Sequence, residues 1–285
     1  MKLYTTVEIS NLQDSVKVSP LTNGAFYNIC KFINNSDSEK ESSKFIEESI
    51  ESLIVNKDII PKLKRTDKIY LILKLYEKYV DDFISVSCKH KQSEELNSVG
   101  IGVGSICDAI GEMSIDYFVK VNYEDIQIQI SEPTNIFCDT YDDLMASMIY
   151  KIEDGSGNDY YFNSFSTAEK TRFLESIVNI DLFKTCAQAI SDNSEPACLI
   201  SLGNDFEFED VKAGYFDNTL FAIVKSLFTV NLKHMLENIY VYCKSMGGSH
   251  QHFETLTPFE FARMLEIHKS YMQDTKNNSE DTVDF

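Results

Sequence analysis

Polar and apolar positions alternate at the start of the chain. Val7-Glu8-Ile9-Ser10 and Val16-Lys17-Val18 each put every second side chain on one face, with Gln13-Asp14-Ser15 between them. Period two is the repeat of a strand, so the pattern predicts two short strands in a hairpin. The period then lengthens. From about Thr22, the residues Phe26, Ile29, Cys30 and Ile33 fall three and four apart, one stripe of an α-helix, and Asn34-Asn35-Ser36-Asp37 ends it. A second helix is expected over 39–55, with Phe45, Ile46, Ile50, Leu53 and Ile54 on one face and acids on the other; Pro61 then punctuates. Thr66 reads as the N-cap of a third helix, with Asp67 at the positive end of its dipole and Ile69, Ile72, Leu73 and Tyr76 as its stripe.

Residues 83–88 read as a strand followed by a polar turn, and Gly100-Ile101-Gly102-Val103-Gly104 as a turn leading into a short helix from Ser105. Residues 117–121 and 126–130 form a second hairpin through Asn122-Tyr123-Glu124-Asp125. Ile126-Gln127-Ile128-Gln129-Ile130 is the cleanest alternation in the chain and predicts one wet and one buried face. Beyond Pro133 the pattern turns helical. Thr140 opens a helix through Leu144, Met148 and Ile152, and 153–159 is a strong loop signal. Ser166-Thr167-Ala168-Glu169 is a capping box, Asp181 caps a following helix, 191–196 is a loop, and 205–210 is acidic and aromatic. A long helical region spans 218–246 and stops at Gly247-Gly248. Thr257-Pro258-Phe259-Glu260 starts a last helix to about Met272 that carries Phe261, Leu265 and His268.

The sum is an α+β, helix-rich fold with an antiparallel β insertion in the first half, near 83–131. The expected division is 1–132 as an N-terminal α+β part with β-hairpins, 133–273 as a helical C-terminal part, and 274–285 as a mobile acidic tail.

Charge narrows the function classes. Lys and Arg number 26 against 45 Asp and Glu, a net charge of −19, and such a field repels polyanions. Nucleic acid and membrane are therefore not expected partners. No apolar run at the amino terminus reads as a signal peptide, and no window approaches a membrane span. The seven cysteines are odd in number, widely spaced and without a C-x-x-C, which fits free thiols in a reducing cytoplasm.

Chemistry is thin. The Gly100–Gly104 run has its third glycine one residue early for G-x-G-x-x-G and lacks the Lys-Ser/Thr of a P-loop, so a turn before a helix reads better than a phosphate cradle. Cys88-Lys89-His90 and His250-Gln251-His252 hold the residues a metal would use: Cys88, His90, His250 and His252. Each cluster falls short of four ligands, so neither metal nor cofactor is assigned. With no G-x-S-x-G and no H-E-x-x-H, no catalytic residue is assigned, and the chain does not read as an enzyme. A Cys/His hydrolase built on Cys88 or Cys243, or a phosphate-binding enzyme, is one alternative; an acidic host-directed interaction protein is another. Residues 57–78 form a positive island of seven bases against three acids. Lys62, Lys64, Arg65 and Lys68 are its candidate interaction residues, with Phe206 and Phe208 of the acidic stretch as their counterpart, in another protein or in a second copy of this chain.

The segment order carries a resemblance. Lys17-Val18-Ser19-Pro20-Leu21-Thr22 leads into a helix, and Thr66-Asp67-Lys68-Ile69-Tyr70 opens another. A strand then ends in Cys88-Lys89-His90, and Ile126–Ile130 passes through Glu132-Pro133-Thr134 toward a helix at Leu144. Leu236-Glu237-Asn238-Ile239-Tyr240 leads to Leu256-Thr257-Pro258-Phe259-Glu260-Phe261. This resembles the baseplate hub and hub-assembly proteins of T-even-type contractile-tailed bacteriophages. Two departures stand out. Leu75-Tyr76-Glu77-Lys78 replaces an arginine-bearing stretch of the middle helix, and a Cys-x-x-Cys knuckle is reduced to Cys88 with Lys91. The resemblance implies no catalytic residues and no cofactor. It implies protein–protein contacts with other tail baseplate and hub proteins, as a late structural protein or an assembly chaperone. The place of action would be the virion tail baseplate, or the host cytoplasm during assembly.

Overall fold

The computed structural model describes residues 4–9, 14–91, 96–111, 119–123, 125–162, 165, 169–170, 172, 184–185, 188, 198–200, 211–214 and 217–280. Strands β1 (Thr5–Ile9) and β2 (Asp14–Val18) pair antiparallel with Val7 opposite Val16. Val7, Ile9, Val16 and Val18 are all buried, so the predicted alternation sets the register. Helix α1 (Asn23–Asn35) starts on Thr22, whose hydroxyl accepts the Ala25 N–H, and α2 (Glu39–Leu53) starts on Ser38 in the same way. The end of α2 is stitched to β2: Ser19 N–H donates to the Leu53 carbonyl at 2.9 Å and Val55 N–H to that of Lys17 at 2.7 Å. Pro61 lies within a short 3₁₀ helix, Lys57–Lys62.

Helix α3 (Arg65–Tyr79) corrects the expected cap. Thr66 sits inside the first turn and Lys64 holds the N-cap position. The free N–H groups of this end are satisfied by carboxylates instead: Lys64 N–H donates to Asp67 at 3.0 Å, and Thr66 N–H donates to Glu132 at 2.6 Å. Strands β3 (Phe83–Lys89) and β4 (Leu96–Gly102) form a hairpin with Phe83 opposite Gly102. Gly100 and Gly102 are therefore strand residues, and the chain passes straight into α4 (Val103–Gly111) without the expected turn.

The second hairpin forms from β5 (Val119–Tyr123) and β6 (Ile126–Ile130), with Ile128 and Ile130 buried; Asn122 and Tyr123, expected in the connection, pair with Gln127 and Ile126 as strand residues. It belongs to a larger sheet. Helix α5 (Tyr141–Met148) stops short of Ile152, and the chain continues as β7 (Ile149–Glu153) against β6, then β8 (Asp159–Tyr161) against β7. Ile149 and Ile152 pack the same sheet core as Ile128, so tertiary pairing overrides the helical reading of that stretch. The 153–159 loop is the hairpin tip, where the Asp154 carboxylate accepts the N–H groups of Ser156 and Asn158, both at 2.9 Å. Two short strands, β9 (Cys198–Ile200) and β10 (Val211–Ala213), also pair antiparallel.

The expected long helix over 218–246 is two: α6 (Thr219–Leu227) and α7 (Leu232–Ser245). Between them Phe228 is buried against Phe26, ring centroids 5.8 Å apart, and the Asn231 side chain caps α7. Gly247, at φ +70°, provides the left-handed stop. His250-Gln251-His252, read as a loop, opens helix α8 (His250–Thr255) on the Ser249 cap. The last helix, α9 (Pro258–Glu280), runs beyond Met272 through 274–280, part of the 274–285 stretch expected as a tail; 281–285 lie outside the described residues. Its start is the predicted capping box: Glu260 accepts the Thr257 N–H at 2.8 Å while Thr257 Oγ1 accepts the Glu260 N–H at 3.2 Å.

Three apolar cores result. The main one joins β1–β4, α1–α4 and α6; a second fills the space between the β5–β8 sheet and α5; a third lies among α7, α8 and α9. The third is tied to the first through buried Asn23, whose amide donates to the carbonyls of Phe253 and Thr257 at 3.2 and 3.3 Å. Apart from Glu169, which is helical, the features expected at 166–169, 191–196 and 205–210 lie outside the described residues, as does Asp181. Among the described residues no helix is long and apolar enough to cross a membrane.

Candidate docking surfaces

The positive island does not survive as one surface. Lys62 is exposed and Lys64 half-buried, but Arg65 is fully buried, 0% exposed. Its guanidinium is spent on the chain itself: Nε donates to the Asn135 carbonyl at 2.7 Å, Nη1 to that of Asp217 at 2.9 Å, and Nη2 to Cys138 Sγ at 3.1 Å. Lys68 is largely buried too, 3.7 Å from Glu47 and 3.3 Å from Glu51. A planar five-donor fork suits such a site because it meets several carbonyls at once. Arg65 and Lys68 are therefore corrected from docking residues to internal ones. Phe206 and Phe208 lie outside the described residues.

Around Arg65 is a buried polar knot. Arg65 N–H donates to the Pro133 carbonyl at 2.8 Å, Ile136 N–H to Glu47 at 2.5 Å, and Cys138 exchanges two backbone bonds with the Asn218 side chain at 3.2 and 2.9 Å. It binds the start of α3 to the 131–138 segment, which leads out of the sheet, and to the start of α6. Burial pushes the Glu132 carboxyl up to about 7 despite the hydrogen bond it accepts from the Thr66 N–H. Burial also raises Glu47, against the pull of Lys68, and lowers Arg65, which Cys138 and Glu132 oppose. The knot carries no local sign in the sequence because its members lie far apart along the chain.

The candidate metal-binding histidines fall in two places in the chain. Cys88 lies in β3 with His90 just beyond its end. His250 and His252 share a helix, two residues apart and so on different sides of it. His252 Nδ1 is 2.5 Å from the Tyr242 hydroxyl, and His250 faces Glu254 at 3.5 Å. Among the described residues no three of His, Cys, Asp and Glu gather as a metal would need. Cys243 is half-buried on α7, and burial pushes the thiols of Cys30 and Cys107 up to about 12, which keeps both un-ionised at neutral pH. The glycine run is no anion cradle: a Cβ built at Gly104 would lie 3.0 Å from a Glu77 carboxylate oxygen, which puts negative charge where a phosphate would sit.

What the surface does offer is apolar. Leu236 and Tyr240 on α7, and Phe259, Ile267 and Tyr271 on α9, are between 51% and 68% exposed. On α9, Phe259, Arg263, Ile267 and Tyr271 follow one i+4 row. A separate groove opens between α1 and α2, with Phe32 and Phe45 stacked within it.

No curated protein and no solved structure matches the chain significantly. A family described as T4 bacteriophage base plate protein matches residues 1–199, the stretch that holds β1 to α5, the β5–β8 sheet and the polar knot apart from its Asp217 and Asn218. The chain belongs to that family and is a phage baseplate protein of the T4 type.

Proposed function

We propose that this chain is a hub component or a hub-assembly chaperone of a contractile-tail baseplate, and that it works by binding other baseplate proteins rather than by catalysis. The observation that carries this reading is the exposed apolar row of α9, with Leu236 and Tyr240 on α7. Exposed Tyr, Phe and Ile in helical register are the anchors that interfaces bury. Both helices lie beyond residue 199, so the matched part supplies the shared fold and the C-terminal helices supply the contact surface. Exposed Lys62 adds a positive edge for orientation.

The test is replacement in the phage that encodes the chain. Ile267→Glu with Tyr271→Ser, both on exposed positions, leaves the circular dichroism unchanged and lowers the yield of completed tails by at least about tenfold, the usual loss on removing two interface anchors. Unchanged yield contradicts the reading. Proteomics of the purified virion separates the two roles: a hub component is present there, and a chaperone is found only in assembly intermediates.

A further inference from the structure

The groove between α1 and α2 has a volume of about 800 Å³, within the size range of ligand-binding clefts. Phe32 and Phe45 stack face to face in it, centroids 4.1 Å apart and planes within 6°. Both rings are half-buried against the main core, so their positions are fixed before anything binds. Asn28 and Asn35 line the groove and bring carboxamides; that of Asn35 donates to the Lys31 carbonyl at 2.6 Å, and the remaining donors and acceptors match those of a peptide backbone.

Its charge is biased. Among the described residues neither Asp37 nor Glu41 has an ion-pair partner, whereas their neighbours Glu39 and Lys40 are paired with Lys225 and Asp143. The lining holds those two carboxylates and one cation, Lys31, which leaves one net negative charge. The end of α1 and the start of α2 meet at this turn, and their opposed dipole ends cancel. The carboxylates therefore decide the sign, and the −19 charge of the whole chain acts in the same direction.

We propose that this groove docks a segment of a partner protein in which an aromatic side chain is flanked by Lys or Arg. The aromatic ring lies on Phe32 and Phe45, the cation faces Asp37 and Glu41, and Asn28 and Asn35 hold the peptide backbone. The inference rests on the reading of the chain as a docking protein and adds the chemistry of one partner.

Titration of the isotope-labelled full chain with three peptides, followed by amide NMR shifts, tests it. Ac-Arg-Phe-Arg-NH2 shifts residues 28–45 with half-saturation at about 1 mM, a weak affinity suited to so short a probe. Ac-Glu-Phe-Glu-NH2 and Ac-Arg-Ala-Arg-NH2 bind at least about fivefold more weakly, the loss expected for surface ion pairs or one ring contact. In Asp37→Lys with Glu41→Lys, both at exposed positions, the order of the two phenylalanine peptides reverses. Equal affinity for all three peptides, shifts that map elsewhere, or an unchanged order in the double variant overturns the inference. A chain that associates with baseplate proteins but shows no response in the groove overturns the groove alone; groove binding without baseplate association overturns the functional reading instead.

Discussion

Arg65 shows how much one side chain decides. In sequence it belongs to a basic run; in the fold it is the centre of a buried knot whose acceptors are two carbonyls and a thiol. Arg65→Met removes the donors and leaves those carbonyls unpaired and dry, so urea unfolding registers a loss of about 3 kcal/mol or more. Glu132 makes the fold sensitive to pH. Its carboxyl titrates near 7 in the folded chain against an ordinary value of 4.5. A raised folded value means the folded chain holds the proton longer. The associated stability is present in full below about pH 4.5 and is lost as pH rises through 7. Between pH 4.5 and 8 the wild type loses on the order of 3 kcal/mol relative to Glu132→Gln, which carries no such proton. Parallel stability curves for the two proteins across that range contradict the assignment. Neither role is legible locally, because burial of Arg65 and Glu132 is created by elements 66 residues apart.

At the scale of elements, legibility follows the source of each signal. The β1–β2 hairpin, α1, α2, the β5–β6 hairpin and the α9 capping box are encoded by short-range patterns and all formed, with α2 ending at Leu53 rather than Val55 and β5 running on to Tyr123. The misses arise where distant partners decide. β7 is a strand because β6 offers it an edge, and the start of α3 is set by Glu132 rather than by Thr66. The break between α6 and α7 reflects the burial of Phe228 and the Asn231 cap, both visible only once Phe26 is placed. The α7–α8 turn gives a direct test. A Cβ at Gly248 would lie 2.2 Å from the Tyr242 ring, and Tyr242 is buried in the third core. Gly248→Ala therefore displaces that ring and costs about 2 kcal/mol, as overpacking does, read as faster hydrogen exchange in α7 and α8 than in α1. Uniform exchange across all helices contradicts the view that this core is a local unit.

At the scale of the molecule, the net charge of −19 resolves into separate parts. Part of the positive island is consumed internally, the Asp37 and Glu41 carboxylates, without an ion pair among the described residues, rim the α1–α2 groove, and the C-terminal helices expose Tyr240, Phe259, Ile267 and Tyr271. The baseplate family was legible from segment order; the exposed apolar positions of α9 were not, because exposure of Ile267 and Tyr271 follows from how α9 packs through Phe261 and Leu265. We propose that the chain acts within the baseplate through protein contacts. Quantitative mass spectrometry of purified virions and of gradient-separated tail-assembly intermediates from infected cells decides this. The chain is expected with baseplate proteins in at least one of these fractions; its absence from both contradicts such a role.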